Sequence, residues 1–379
     1  MLNARTVHPS DLSIDEIAVW EGLVAAQPAF GNPLLGPDFA QAVGIVRADA
    51  RVTVYRDGDR VVGFLPHHRR PGGLGRPLGA PLSDYHGLIA GADAGLTQAK
   101  ALSLAGLSAY RFTGLVDPHG LFSGTEQGER SGYSIALNEA PDAYLERLRA
   151  ASPKRFKNWR RLDSKLEREV GEVRVEASDD PAVYEQIMDW KRDQLVRTGV
   201  ADFLRPDWTR ELLASFAGGR GPLRGLTLTL WAGETLAAGH FGVMRNGWYH
   251  PWVASTNPDL GDYSPGQIFL MRAIAVMPAL GMTTYDLGPS HDHYKRHYAA
   301  PAQTVGEGTA AASTPAGVLA GGRERVWTMA GARGEGLVAS LRRRLDAIAV
   351  TELSTVGRVR GFVEAVAAQP RRRLALEGE

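Results

Sequence analysis

Residues 226–241 read LTLTLWAGETLAAGHF, two runs of strand-forming residues on either side of Ala232-Gly233-Glu234. Glycine adopts the left-handed backbone conformation that tight hairpin turns need, so this pattern predicts a β-hairpin. After it we expect a strand over 247–253, a helix over 264–277 and a strand over 283–288. Such an alternation of helices and strands is typical of an α/β or α+β fold.

A similar hairpin precedes this one in the first part of the chain. Its strand-forming runs, residues 51–55 and 61–65, flank a turn that contains Gly58. When Gly58 is aligned with Gly233, a strand-forming run follows each glycine at the same spacing. The match predicts a duplicated α/β unit, and a chance match of two common glycine-turn hairpins stays open.

Three helices are predicted around these hairpins. Ser13-Ile14-Asp15-Glu16 is a capping box, in which the hydroxyl and the carboxylate satisfy backbone amides at a helix start. Another helix covers residues 153–170 and a third covers 181–197. The first turns of the 153–170 helix carry five cations, a pattern that most often marks a solvated helix face.

The length of 379 residues favours two domains of ordinary size. We expect a first domain over residues 1–145, a second over 146–305, and a tail over 306–379. The Gly-, Ala-, Ser- and Thr-rich composition from Gly306 onward predicts a linker. A helical tail beyond it has an apolar stripe formed by Leu337, Leu341, Leu345 and Ile348.

Composition excludes several classes of function. Forty-three Lys and Arg against 42 Asp and Glu leave a net charge of +1, so no overall field attracts the chain to DNA. The absence of cysteine excludes disulfide scaffolds, zinc ribbons and thiol nucleophiles. Since the sequence shows no apolar signal core and no long apolar run, we expect a cytoplasmic location.

Residues 262–267, Asp-Tyr-Ser-Pro-Gly-Gln, stand at the start of the helix predicted after the second hairpin. Serine is a good N-cap, proline suits the first helical turn, and glycine allows a ligand to approach the backbone. The free amides at such a helix start can bind an anion, and a pyrophosphate would fit. The same residues also suit an ordinary helix start.

Residues 285–298 place many titratable groups at the end of the last predicted strand, among them Asp286, Tyr294 and Lys295. An aromatic and basic cluster in such a position suits the binding of an anionic substrate or the transfer of protons. No carboxylate–histidine spacing of a known metal motif is present, so we expect no metal. The histidines of this segment are His291, His293 and His297.

In order and spacing, these features resemble the GNAT-superfamily proteins called CelD-like acetyltransferases, relatives of the FemAB peptidyltransferases. The resemblance spans about residues 15–300 and implies two GNAT-like α/β domains in tandem plus a C-terminal helical appendage. The usual phosphate-loop pattern, Gln/Arg-x-x-Gly-x-Gly/Ala, is absent, and residues 260–266 stand in its place. The segments that carry the resemblance are Ser83-Asp84-Tyr85, the basic helix, the second hairpin, Tyr263-Ser264-Pro265-Gly266, and Tyr285-Asp286 followed by Tyr294-Lys295.

The resemblance implies transfer of an acetyl group from acetyl-CoA to the amine of a sugar in an exopolysaccharide or its lipid- or nucleotide-linked precursor. A backbone amide of the strand over 249–253 would polarise the thioester carbonyl. Tyr294 or Tyr298 would protonate the departing thiolate, and Asp286 or His250 would accept the proton of the amine through water. The residues implied for CoA binding are Tyr263, Ser264, Gly266 and Gln267.

On the acceptor side, the resemblance implies that Lys295 contacts a phosphate of the carrier, while His240 and Trp252 line the pocket. The first domain would bind no donor, and its Asp84 and Tyr85 would face the cleft. Two other functions stay open. One is FemAB-type aminoacyl transfer from a charged tRNA, with the basic helix touching the RNA. The other is a non-catalytic binding module of an envelope machine, regulated through its arginine-rich tail.

The tail has three alternative roles. Its stripe beside Arg342-Arg343-Arg344 suits a helix packed on the catalytic body. The same pattern suits peripheral contact with an anionic surface such as the inner membrane. Since a guanidinium pairs with the edge of guanine and stacks on its plane, a cyclic dinucleotide is the third expected partner.

Overall fold

The structure, a computed structural model, describes residues 1–198, 200, 202–290, 295–331, 336–352 and 355–367. They form the predicted mixed α/β fold, with a helical C-terminal region and one large mixed sheet. The elements of the first half are β1 (Leu2–Val7), α1 (Ile14–Ala26), α2 (Pro37–Val46), β2 (Ala50–Asp57), β3 (Arg60–Arg70), β4 (Leu74–Pro77), β5 (Ile89–Ala90), α3 (Gln98–Leu104), β6 (Ala109–Leu115) and β7 (Glu126–Ala136).

The second half continues the alternation of helices and strands, and three helices follow it. Its elements are α4 (Pro141–Ala151), α5 (Pro153–Glu169), β8 (Val173–Ser178), α6 (Pro181–Thr198), α7 (Asp207–Phe216), β9 (Arg224–Ala232), β10 (Thr235–Arg245), β11 (Trp248–Thr256), α8 (Pro265–Val276), β12 (Thr284–Ser290) and β13 (Ala300–Ala311). The tail helices are α9 (Pro315–Met329), α10 (Leu337–Thr351) and α11 (Thr355–Ala367).

The sheet has the strand order β1-β2-β3-β4-β6-β13-β7-β12-β11-β10-β9-β8, and β5 pairs with β3. The two halves meet where β7 of the first half pairs antiparallel with β12 of the second. One apolar core also contains side chains from both halves, such as Trp20 and Phe39 beside Ile187 and Phe241. The halves are therefore joined by a shared sheet and a shared core.

Both predicted hairpins are present, and they agree in detail. Gly58 and Gly233 occupy the turns with φ of +58° and +55°. In each hairpin the pairing register skips one residue of the second strand, Val62 in the first and Ala237 in the second. These two residues are equivalent when the glycines are aligned, and a shared bulge at one position is what a duplicated unit would show.

The segment from Gly306, predicted as a linker, is instead the second part of β13, which runs between β6 and β7. Its small residues reflect close packing. A Cβ on Gly308 would lie 2.3 Å from the carbonyl oxygen of Thr125, and one on Gly306 would lie 2.9 Å from Glu126. Glycine in a strand often marks such an approach of another chain segment, so composition alone was misleading here.

Helix α10 of the tail packs on the first half of the chain. The Asp346 carboxylate lies 3.0 Å from both Arg76 and Arg111, and the buried Arg342 pairs with Glu324 of α9. These contacts describe the packed-helix alternative for α10; binding of lipid or a cyclic dinucleotide by the tail remains a prediction. The side chain of Leu337 lies outside the described residues. Within the part that is described, no helix is both long and apolar enough for a membrane span.

Candidate active site

Strands β11 and β12 pair in parallel at only two positions, Trp248 with Thr284 and Tyr249 with Tyr285. Beyond these pairs the described residues of the two strands show no further pairing with each other, so an opening begins at the next residue of each strand. On its other edge, β11 has an irregular register with β10, where Trp252 is skipped. A bulge of this kind turns the backbone groups of a strand relative to their neighbours.

The first residues beyond the last parallel pair are His250 and Asp286, and their side chains bond across the opening with Nδ1 and Oδ2 2.8 Å apart. Asp286 is 1% exposed. Its carboxylate also accepts hydrogen bonds from Asn32 Nδ2 at 2.8 Å, the Tyr85 hydroxyl at 3.0 Å and the Gly288 amide at 2.8 Å. With four partners, Asp286 is a buried anchor; that it takes the proton of the amine through water stays a prediction.

His250 is fully buried between two carboxylates. Its Nε2 lies 3.4 Å from Asp84 Oδ2, on the side opposite to Asp286. Burial alone would lower the pKa of His250, but the hydrogen bond of Asp286 and the charges of Asp286 and Asp84 outweigh burial and raise its pKa to about 9. At neutral pH both ring nitrogens therefore carry protons, and His250 is not free to accept another.

Asp84 is the exposed member of this cluster, with 46% of its side chain accessible. Burial would raise its pKa, but the nearby charge of His250, together with Arg130 and Lys295, lowers it. Lys295 Nζ donates to the Gly288 carbonyl at 3.4 Å, and a Cβ on Gly288 would lie within 4 Å of both Asp84 Oδ2 and Lys295 Nζ. Asp84 is thus an ionised carboxylate among three cations at an accessible position.

Tyr85, predicted to face the cleft, is 3% exposed and directs its hydroxyl at Asp286. Trp252 lies near His250, with ring centroids 6.4 Å apart, but its indole N–H donates to the Leu82 carbonyl. Tyr294 lies outside the described residues, as do His291 and His293. The structure therefore brings Asp84, His250, Asp286 and Lys295 together, and Asp84 is the one that solvent reaches most.

His240 and Tyr298 lie away from this cluster, on the side of the sheet that α8 covers. His240 stacks on Phe269 of α8 and bonds to the Tyr285 hydroxyl; burial, with the nearby charge of Lys191, lowers its pKa to about 3. Tyr298 is buried against Trp159, with ring centroids 4.6 Å apart. Successive residues of a strand point to opposite faces of the sheet. Tyr285 therefore faces the side of His240 and α8, and Asp286 faces the side of His250.

The predicted donor site is at the start of α8. Ser264 has φ of +52°, and its side chain does not cap the first-turn amides. Gly266 lies close to Thr256 at the end of β11, since a Cβ there would be 3.3 Å from the Thr256 methyl group. Two of the residues predicted to bind CoA form hydrogen bonds within the protein. Gln267 accepts one from Trp159 at 2.7 Å, and the Tyr263 hydroxyl donates one to Glu169.

A small cavity of about 70 Å³ lies at the same end of β11. Ser255, which is 4% exposed, lines it, and its hydroxyl has no hydrogen-bond partner among the described residues. A buried polar atom without a partner is uncommon and indicates a place where a ligand or water could bond. The other lining residues are Trp190, Asp193, Gln194, Arg197, Thr256 and Pro258.

Sequence reasoning missed Asn32, Arg130 and Ser255. Asn32 is 1% exposed and is separated by 254 positions from Asp286, to which it donates. The only local signal at Asn32 is that it precedes Pro33 at a helix start, where its side chain caps Leu34. Among the described residues, no group of three or more His, Asp or Glu side chains is placed to hold a metal ion.

Comparisons with known proteins relate a segment of this chain to one family. Residues 153–296, which contain the opening between β11 and β12, match the family of acetyltransferase (GNAT) domains. No curated protein matches the sequence. The structure of FemX is similar with a TM-score of 0.51, at 9% identity over 80% of this chain and 96% of that chain, which is a likeness of fold.

Two further solved structures are similar at lower scores. A tandem GNAT protein from the clavulanic acid biosynthesis pathway has a TM-score of 0.47 at 13% identity, over 83% of this chain and 99% of that one. The C-terminal domain of a putative lysylphosphatidylglycerol synthetase from Agrobacterium fabrum has a TM-score of 0.47 at 10% identity, over 82% and 96%. The segment over residues 153–296 is thus similar to GNAT acyltransferase domains, within a chain that shares its fold with FemX.

Proposed function

We propose that this protein is an N-acyltransferase that moves an acetyl group from acetyl-CoA to an amine of a sugar in an exopolysaccharide or its lipid- or nucleotide-linked precursor. The observation that carries the proposal is the opening between β11 and β12, which begins after Tyr249 and Tyr285 within the segment that matches the GNAT family. Among the described residues, no strand pairs with this edge of β11 beyond Tyr249, so its backbone groups can bond to a ligand.

The residues around the opening suit acyl-CoA. The positive end of the α8 helix dipole suits a pyrophosphate, and Gly266 allows close approach. Ser255 offers a hydroxyl without a partner among the described residues, which suits the amide-containing arm of CoA. When bound, acyl-CoA supplies the thioester, and an amide of the bulged part of β11 would polarise its carbonyl.

Isothermal titration with acetyl-CoA tests the donor. Wild type should bind, and Gly266→Asp should abolish binding because a side chain and a negative charge both enter the anion site. Gly22→Asp is a matched control, since Gly22 is exposed on α1 with open space around it. Equal affinity of Gly266→Asp and wild type would place the donor elsewhere.

One observation favours aminoacyl transfer from charged tRNA as a second candidate. Lys154, Lys157 and Arg160 on the outer face of α5 form no hydrogen bond or ion pair with another described residue. They lie beside an open groove of about 530 Å³ that Lys157 and Arg160 line together with Arg149, Phe156 and Arg161. Such a cationic surface suits a phosphate backbone.

Titration with charged tRNA separates the two donors. Under the tRNA alternative, the triple variant Lys154→Ala, Lys157→Ala, Arg160→Ala should weaken binding and reduce its dependence on salt concentration. Under the acetyl-CoA proposal, the same variant should keep its affinity for acetyl-CoA and its transfer rate to a small amino sugar.

A further inference from the structure

The charged cluster at the junction of the halves has a fixed order: buried Asp286, buried His250, then accessible Asp84. We propose that Asp84, which the first half contributes, accepts the proton of the acceptor amine, and that His250 and Asp286 are positioning residues that hold Asp84 in place. This inference rests on the proposed N-acyl transfer and adds the acceptor side of its chemistry. It also means that the reaction centre requires both halves.

Access separates the two carboxylates. Asp286 is 1% exposed and accepts four hydrogen bonds, so a substrate amine has no route to its oxygens. Asp84 is about half exposed, so its carboxylate stays accessible although His250, Arg130 and Lys295 lie near it. A proton acceptor must come within hydrogen-bond reach of the proton it takes, and Asp84 meets this condition.

His250 is excluded as the acceptor by its protonation. With a pKa of about 9 it carries a proton on both nitrogens at neutral pH, and it is buried between two carboxylates. Its charge serves a different purpose, because it lies 3.4 Å from the Asp84 carboxylate and keeps that group ionised. The groups that face this cluster are Asp286 and Lys295 after the opening, Tyr85 beside Asp84, and Arg130 on β7.

The step balances as follows. The amine binds in its neutral form, and its lone pair attacks the thioester carbon, so that a C–N bond forms and the nitrogen becomes cationic. Its N–H is then acidic, and the Asp84 carboxylate takes that proton. The C–S bond breaks as the oxyanion formed in the attack restores the carbonyl, and the thiolate leaves with the bonding electrons. The thiolate takes a proton from water, and Asp84 returns its proton to solvent. The net change is one proton moved from nitrogen to sulfur.

The test compares Asp84→Asn with wild type, using glucosamine and UDP-glucosamine as acceptor probes and release of the CoA thiol as the signal. The chain has no cysteine, so every thiol detected comes from CoA. Asp84→Asn should lower kcat by about 100-fold or more, within the range for loss of a general base, and leave acetyl-CoA affinity unchanged. Its melting temperature should stay above that of Asp286→Ala, because His250 keeps its bond to Asp286. Asp93→Asn, the same change at an exposed aspartate of the first half, should have wild-type kcat.

A second readout does not depend on turnover. The imidazole of His250, followed by NMR, should titrate at lower pH in Asp84→Asn than in wild type, and His250→Gln should shift the acidic limb of the kcat profile upward because Asp84 loses its cation. Retained kcat in Asp84→Asn, or an unmoved acidic limb in His250→Gln, overturns the inference. Because Asp84 acts on the acceptor, its effect should appear with acetyl-CoA or with charged tRNA, whichever is the donor. Absence of turnover by wild type with both donors instead overturns the proposed function, and this inference with it.

Discussion

The two halves of the chain have the same succession of four strands. They differ in what lies between the third and fourth strands of each set. The order β2-β3-β4-β6 parallels β9-β10-β11-β12: two antiparallel pairings, then a parallel pairing that lasts for two residues. In the first half, the opening between β4 and β6 beyond this parallel pairing is closed by a nearby segment of the chain. His86 accepts bonds from the Thr113 and Gly114 amides and pairs with Leu115.

In the second half, the chain leaves β11 through α8, and none of the described strands pairs with that edge of β11 beyond Tyr249. The closing segment pairs within the first opening, whereas among the described strands none pairs with the edge of β11 beyond Tyr249. The segment that closes the first opening also carries Asp84, which it presents to His250 of the second half. The two halves thus use a similar strand order in different ways, and that the first half binds no donor stays a prediction.

The largest effect is expected from a substitution that breaks the contact between the halves at the opening beside β11. Asp286→Ala removes the buried partner of a buried, protonated imidazole and leaves Asn32 and Tyr85 without their acceptor. Loss of one member of a buried ion pair lowers the free energy of unfolding by about 3–5 kcal/mol. Urea unfolding measures this, with Asp93→Ala on the exposed surface as the control. A change below about 1 kcal/mol would mean that the cluster does not hold the halves together.

The pH dependence of stability sharpens the same comparison. The pKa of His250 is about 9 in the folded protein, above its ordinary value of 6.5. Its protonation therefore stabilises the fold fully below about pH 6.5, and this stabilisation, up to about 3 kcal/mol, is lost as pH rises through 9. The difference in unfolding free energy between wild type and His250→Gln should shrink from pH 6 to pH 9.5. A constant difference over that range would contradict the raised pKa.

A third prediction concerns the closed opening. A Cβ on Gly114 would lie 1.9 Å from the Asp84 carbonyl oxygen, so Gly114→Ala must displace the closing segment. Overpacking of this kind lowers unfolding free energy by about 1–3 kcal/mol. Since Asp84 moves with its backbone, transfer to the acceptor should fall while acetyl-CoA affinity stays near wild type. Gly128→Ala on β7, where a Cβ meets open space, is the control. Normal stability and turnover of Gly114→Ala would mean that the position of the closing segment does not affect the site.

Turns and other features that depend on neighbouring residues could be predicted from the sequence, whereas contacts between distant segments of the chain mostly could not. Both hairpins follow from Gly58 and Gly233, because a turn depends on the residues within it. The strand over Gly306 and Gly308 was misread because the need for small residues comes from Thr125 and Glu126, far away in the chain. For the site, Asp84, His250 and Asp286 were selected one by one. Their order, and the contact of Asp286 with Asn32, arise only when the two halves pack together.

The smallest expected effect compares the two hairpin turns themselves. Gly58→Ala and Gly233→Ala each force a side chain into the left-handed conformation, which costs about 1–2 kcal/mol. Around Gly58 the added Cβ meets open space, whereas at Gly233 it lies 3.2 Å from the Val170 carbonyl oxygen at the end of α5. Both variants should lower unfolding free energy measured in urea, and Gly233→Ala should lower it by slightly more. Asparagine, which tolerates this conformation better than alanine, should restore part of the stability at Gly58 and less at Gly233, where the space is limited. If the alanine variants lost the same unfolding free energy and the asparagine variants regained the same amount, the end of α5 would move aside without an energetic cost. The two hairpins would then be equivalent in energy as well as in register.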